Sequence, residues 1–191
     1  EKDIYVFEGG HLKRSEFLSN RNYFLVDHNS FDFTALIEIT AMKSNTDYWF
    51  LIHDTCLVTN KFSKLIQNIP HFLPETMPIK NYPSMNIGLY KDSYLRKNRD
   101  VLMSMQNRDN SKEGVEKTKI KAVGNEDLLF RQSSHPYVYN PWLLPQSGDY
   151  RIENSVIPEF YSSRVCEFFP QAGIYKFKAN FSLNGAYRVN L

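Results

Sequence analysis

Asp47-Tyr-Trp-Phe-Leu-Ile-His-Asp-Thr-Cys56 is an apolar, aromatic run that stops abruptly at His53 and Asp54. Tyr48 to His53 do not alternate apolar with polar, so they predict a strand buried on both faces. His53, Asp54 and Thr55 then sit at the carboxyl end of that strand, the edge where open α/β sheets bind ligands. A carboxylate is costly to bury there unless a cation or a set of hydrogen bonds meets it. The competing reading is that Asp54 caps a helix that follows, a common role for Asp.

Upstream, Ile4 to Phe7 predicts a short strand that runs into Glu8-Gly9-Gly10. Paired glycines there permit a tight turn or a close approach of backbone to ligand. His11 to Asn20 reads as a short helix or a loop. Tyr23-Phe-Leu-Val-Asp27 predicts a second strand, again with a polar carboxyl end in Asp27, His28, Asn29 and Ser30. Phe33 to Met42 has helical spacing, with Ser30 or Asp32 as its cap. A strand, a helix and a strand in succession are the pattern of a parallel sheet with right-handed crossovers.

Downstream, Asn60 to Ile69 predicts a helix ended by Pro70, and His71 to Pro83 a proline-rich loop. Met85 to Tyr90 predicts a strand with Asn86 and Gly88 inside it, and glycine within a strand often marks a close approach. Asp92 to Gln106 predicts a helix. Asn107 to Glu113 is polar and reads as a mobile surface loop able to fold over a site. Val115 to Arg131 is helical with a break at Gly124. There Asn125-Glu126-Asp127 stands against the apolar triplet Leu128-Leu129-Phe130. Paired carboxylates in that position suit either a functional role or a helix start favoured by its dipole. From Ser133 the chain turns irregular, with His135, Tyr137, Tyr139 and Trp142 among prolines. Phe168 to Asn180 carries an alternating pattern, Ile174-Tyr-Lys-Phe-Lys178, and reads as an edge strand or short hairpin arm.

A chain of 191 residues is most simply one domain, here 1–191, with a single sizeable core. Hydrophobic content of 42% and charged content of 23% fit an ordinary globular protein. A net charge of +2 is too small to argue for nucleic acid or an anionic membrane as partner. No apolar run approaches the roughly 18 residues of a membrane span, and no signal peptide is visible. Cys56 and Cys166 lack Cys-x-x-Cys spacing, so structural zinc is unsupported and reduced thiols are expected, with a single disulfide the alternative.

The order of these motifs carries a resemblance. Glu-Gly-Gly, then Val-Asp-His-Asn, then Phe-Asp-Phe-Thr-Ala-Leu, His-Asp-Thr, Asn-Ile-Gly-Leu-Tyr and Asn-Glu-Asp-Leu-Leu-Phe together resemble small glycosyltransferases of the GT-A type. The chain is similar to those of large algal (chlorella) viruses and bacterial polysaccharide clusters, roughly from Ile4 to Asn180. The resemblance implies a single-domain, Rossmann-like α/β fold: a mostly parallel central sheet flanked by helices, with an irregular C-terminal part. It implies transfer of a hexosyl or deoxyhexosyl group from a nucleotide-diphosphate sugar, expected to be a UDP-sugar, to a hydroxyl of a glycan acceptor.

A divalent cation, manganese or magnesium, would bridge the donor diphosphate, with Asp54, His53 and His135 as its ligands. Hard oxygen ligands suit such a cation. The sequence departs from the family pattern because His53-Asp54-Thr55 offers one carboxylate where relatives often offer two. Asp127, with Glu126 second, would take the proton of the attacking hydroxyl. Phe7, Glu8, Gly9, Asp27, Asn29, Asp32, Asn86 and Gly88 would line the donor site, and Tyr137 and Trp142 the acceptor site. A cytoplasmic location is expected, in the host if the protein is viral. The strand that usually precedes the Ile4 strand is missing here or lies upstream of a truncation. The alternative is a non-catalytic carbohydrate- or nucleotide-binding module.

Overall fold

The computed structural model describes residues 4–11, 15–18, 22–67, 75–78, 85, 87–132, 150–152, 165–169 and 172–178. In chain order its elements are β1 (Tyr5–Glu8), β2 (Ser15–Leu18), β3 (Asn22–Leu25), α1 (Phe33–Ala41), β4 (Tyr48–Leu51), β5 (Cys56–Val58), α2 (Asn60–Gln67) and β6 (Thr76–Pro78). Then follow β7 (Gly88–Lys91), α3 (Asp92–Lys97), α4 (Arg99–Met103), α5 (Lys112–Val123), α6 (Leu128–Gln132), β8 (Tyr150–Ile152), β9 (Val165–Phe169) and β10 (Ile174–Lys178). The result is a mixed α/β structure of helices and small sheets, not a barrel.

The described strands form three sheets, ordered β1-β3-β2, β4-β7-β6 and β5-β10-β9-β8. β1 and β3 are parallel, with Tyr5 opposite Asn22 and Glu8 opposite Leu25. Every other described pairing is antiparallel. A single, mostly parallel central sheet is therefore not what these strands display. An apolar run reads the same in both directions, so periodicity finds a strand without fixing the direction of its partner. The stretch expected as a short helix or loop supplies β2, which gains its ladder from β3, four residues downstream of it in the chain.

α1 is the centre of the core. From Phe33 to Thr40 every residue except Ala35 is buried, the signature of a helix apolar almost all round. Phe33, Leu36, Ile37 and Ile39 pack with Trp49, Tyr90, Tyr94, Leu95, Leu102, Leu129 and Phe130. Each large side chain buried there contributes roughly 1.5–3 kcal/mol relative to exposure. β4 is less enclosed than its composition suggests: Trp49 is buried, while Tyr48, Phe50 and Leu51 are half-buried. Tyr5 of β1 meets Trp49 of β4 edge to face at 5.1 Å, a contact between two of the sheets. A second, smaller cluster of Ile87, Ala172 and Ile174 is covered by Phe50 of β4 and by Phe62 and Leu65, the apolar face of α2.

The helix expected over 92–106 is interrupted at Asn98. Its Nδ2 donates to the Tyr94 carbonyl at 2.9 Å, and its N–H serves both Tyr94 and Leu95 carbonyls, so α3 ends and α4 starts anew. Asp92 locks this corner to β4. It accepts from Trp49 Nε1 at 2.8 Å and from Arg96 Nε and Nη2 at 2.6 and 3.0 Å. Burial works against the Asp92 carboxylate, yet the hydrogen bonds from Arg96 and Trp49 and the charge of Arg96 outweigh it and hold the carboxyl below its ordinary value. No helix among the described residues is long and apolar enough to cross a membrane.

Candidate functional site

Residues at the end of β1 and after β3 and β4 converge on one cleft of about 550 Å³. Phe7, Glu8 and Gly9 come from the first, Asn29, Phe31 and Asp32 from the second, and Ile52, His53 and Asp54 from the third. Tyr23 of β3 and Thr34 and Ala35 of α1 complete much of the remaining wall. The volume lies within the usual range for small-molecule sites, about 300–1,000 Å³.

Local chemistry explains how each loop takes its place. Gly10 is left-handed at φ 90°, which turns the chain back so that its N–H donates to the His28 carbonyl at 3.0 Å. Gly9 lies so close to that carbonyl that a Cβ there would stand 2.7 Å from it. After β3, Ser30 N–H donates to Thr34 Oγ1 at 2.9 Å, and Phe31 N–H to Asn29 Oδ1 at 3.3 Å. Between these bonds Phe31 is held at φ 51°, a region that bulky residues rarely enter.

Asp32 occupies the N-cap position of α1, but its side chain makes no capping bond. Its Oδ1 instead lies 2.8 Å from His53 Nε2, with the two side chains 19% and 25% exposed. The expectation that Ser30 or Asp32 caps α1 is corrected accordingly. Asp32's charge also reaches Tyr90 beneath the cleft. Burial first, and that charge second, push the Tyr90 phenol well above its ordinary value, so it stays protonated and donates to the Met85 carbonyl at 2.8 Å.

At the rim, Glu8 accepts a short hydrogen bond from the Tyr23 hydroxyl, and its other oxygen lies 3.0 Å from His11 Nε2. The Tyr23 bond is the chief reason the Glu8 carboxyl sits below its ordinary value; burial opposes it, and His11 adds to it. The same contact raises the Tyr23 phenol.

Of the expected donor residues, Phe7, Glu8, Gly9, Asn29 and Asp32 line this cleft, as do His53 and Asp54. Asp27 does not; it faces Arg108 at 3.3 Å. Gly88 is buried inside the second sheet, opposite Leu51 and Pro78. Asn86, His135, Tyr137 and Trp142 lie outside the described residues. Asp54 is exposed in a two-residue turn between β4 and β5, so it caps no helix. Thr59 does that work for α2, where its Oγ1 accepts from Lys61 N–H at 3.3 Å.

Asp127 and Glu126 do not line the cleft. Asp127 is 40% exposed and pairs with Arg131 one turn on at 3.0 Å, while the Glu126 carbonyl accepts from Met85 N–H at 2.7 Å. The polar loop that begins at Asn107 bonds to the segments after β1 and β3: Asn107 N–H donates to Ser30 Oγ, Arg108 pairs with Asp27, and Asn110 Nδ2 donates to the Gly10 carbonyl.

Among the described residues no three His, Cys, Asp or Glu side chains gather as a metal-binding group. Asp32 commits an oxygen to His53, and Asp54 stands alone as an exposed carboxylate. These residues do not by themselves fit a resident divalent ion, which takes six or more oxygen ligands or makes up the number with water and phosphate.

Sequence reasoning missed Tyr23, Phe31 and Thr34 as lining residues and His28 with Glu38 as support. His28 and Glu38 are buried together, Nε2 to Oε1 at 3.2 Å. A signal for the pair did exist: Glu38 is the one charged residue of α1 and falls between Ile37 and Ile39, and a carboxylate so placed requires a partner.

No protein-family model matches the chain, and neither a curated protein nor a solved structure matches it.

Proposed function

We propose that the protein is a GT-A-type glycosyltransferase whose donor site is the cleft at the ends of β1, β3 and β4. The observation that carries this reading is the convergence of Glu8-Gly9, Asn29 to Asp32 and Ile52 to Asp54, far apart in sequence, on one cleft of about 550 Å³. Such a volume admits a nucleotide sugar. Phe7, Tyr23 and Phe31 offer aromatic faces to a base or sugar ring, and Glu8, Asn29 and Asp32 offer acceptors for hydroxyl groups.

In the proposed reaction the oxygen of a glycan hydroxyl attacks the anomeric carbon of the donor. The bond from that carbon to the diphosphate oxygen breaks, and the diphosphate leaves with the electron pair. The hydroxyl proton passes to a carboxylate, proposed as Asp127 with Glu126 second, neither of which lines the cleft. The described lining holds Glu8, Asp32 and Asp54 but no lysine or arginine, so a divalent ion that takes part enters with the diphosphate as part of the substrate. A cytoplasmic location belongs to the same reading.

The test is incubation with UDP- and GDP-sugars and manganese, read as free nucleoside diphosphate and as heat of binding. Hydrolysis or transfer that falls in Asp54→Ala supports the reading; absence of both binding and turnover ends it. The position of Asp127 and Glu126 outside the cleft favours a second reading, a non-catalytic carbohydrate- or nucleotide-binding module. That reading expects binding without turnover, unchanged by Asp127→Ala.

A further inference from the structure

Ser30 is fully buried, one residue before the left-handed Phe31. Its hydroxyl is shared by two groups from different parts of the chain. His28 Nδ1 lies 2.9 Å from it, and the backbone N–H of Asn107 donates to it at 3.0 Å. The other nitrogen of His28 faces Glu38 of α1, so the chain of contacts is rooted in the core helix. Asn29 N–H donates in return to the Asn107 carbonyl at 2.9 Å, which joins residues 29–30 to residue 107 in both directions.

The remainder of the 107–110 segment reaches the same two cleft loops. Arg108 pairs with Asp27, and Asn110 Nδ2 donates to the Gly10 carbonyl at 3.4 Å. A phenylalanine at positive φ persists where its surroundings over-determine it, and such strain gathers at ligand sites. Here the over-determination has a centre, because the buried hydroxyl of Ser30 fixes the backbone on one side of Phe31 while Thr34 N–H, donating to the Phe31 carbonyl at 3.0 Å, fixes the other.

We infer that Ser30 is the positioning residue of the cleft: tied to His28 and to the Asn107 amide, it holds Phe31 left-handed and so sets Asn29, Phe31 and Asp32 around the ligand. Segment 107–110, which contributes no residue to the lining, then braces the loops that do. The kinetic part of the test rests on the donor-site reading above; the exchange part rests on this geometry alone.

The experiment compares the full-length wild type with Ser30→Ala by residue-resolved amide hydrogen exchange and by UDP-sugar hydrolysis with manganese. Loss of the hydroxyl is expected to speed exchange at Asn29 and Asn107 about ten-fold, and to raise the donor KM about ten-fold with kcat within about two-fold. Exchange at Leu102 of α4 and Ala122 of α5 stays unchanged. Unaltered exchange and KM, or an acceleration shared by all amides, overturns the inference and leaves Ser30 as a buried polar group of the core. If the wild type turns over no donor, the donor reading fails while the exchange result alone decides the role of Ser30. Should Ser30→Ala not fold, His28→Gln replaces it, with the same outcomes for and against.

Discussion

His53 Nε2 lies 2.8 Å from Asp32 Oδ1, so the end of β4 is fastened to the loop that opens α1. The pair crosses the cleft and joins two of its three contributing segments. Asp32→Ala is expected to cost about 1 kcal/mol of stability and to lower Tm by about 2–4 °C. His53→Ala should cost a similar amount. The double variant should lose little more than either alone, since both remove one contact. Thermal melts of the four proteins check this, and full additivity would show that the two side chains act independently. Donor affinity, read by calorimetry, is expected to fall about ten-fold in each single variant.

Tyr23→Phe removes the hydroxyl that donates to Glu8. The Glu8 carboxyl should then titrate at higher pH than in the wild type. Carboxyl-carbon NMR titration reads the change directly. Both groups are at the rim, so stability should change by no more than about 0.5 kcal/mol. A Glu8 titration unmoved by Tyr23→Phe would show that the hydroxyl does not engage it in solution.

Asp92 makes a pH-dependent contribution of definite sign. Its folded-state carboxyl is held below the ordinary 3.8, so the unfolded chain binds the proton more readily. The stabilisation is present above the ordinary value and is lost as pH falls through the lower folded value. Asp92→Asn keeps an acceptor for Trp49 but gives up the charged bonds to Arg96, at a cost of about 1.5–3 kcal/mol at neutral pH. Urea melts at pH 7 and at successively lower pH below 4 should show the gap between wild type and variant closing. A gap that stays constant through that range would mean that the Asp92 charge does not matter.

Asp127→Ala discriminates between the two proposed functions. Under the transferase reading it reduces turnover by roughly 100-fold or more, a typical general-base effect, and spares donor affinity. The loss of its surface pair with Arg131 should itself cost no more than about 0.5 kcal/mol. Turnover that survives moves the base elsewhere, with Glu126→Gln as the next variant to assay.

Several parts of this architecture were legible in the sequence, each for a local reason. α1 announces itself through Phe33, Leu36, Ile37 and Ile39, and its observed end at Ala41 is one residue short of the expected one. The polar residues at the ends of three apolar runs mark the segments that line the cleft, because strand chemistry changes where a strand stops. The division into three sheets was not legible, since strand direction leaves no mark on an apolar run of four residues. Nor was the break at Asn98, which depends on one amide turning back to the Tyr94 carbonyl. Asp32 reads as a cap from its position alone. Its actual partner, His53, is 21 residues away, and only the folded backbone brings them together.

Gly9 carries a consequence for how mutational tolerance in this protein is to be interpreted. Any side chain there meets the carbonyl of His28, a backbone atom that cannot step aside as a flexible side chain would. In a library of variants this position should reject every replacement whether or not the protein has a ligand, so its intolerance reports on folding alone. Glu8 and Asp54, both exposed at the same cleft, meet no such obstacle. Selection for activity, measured against selection for abundance, should separate from one another at those two positions and coincide at Gly9.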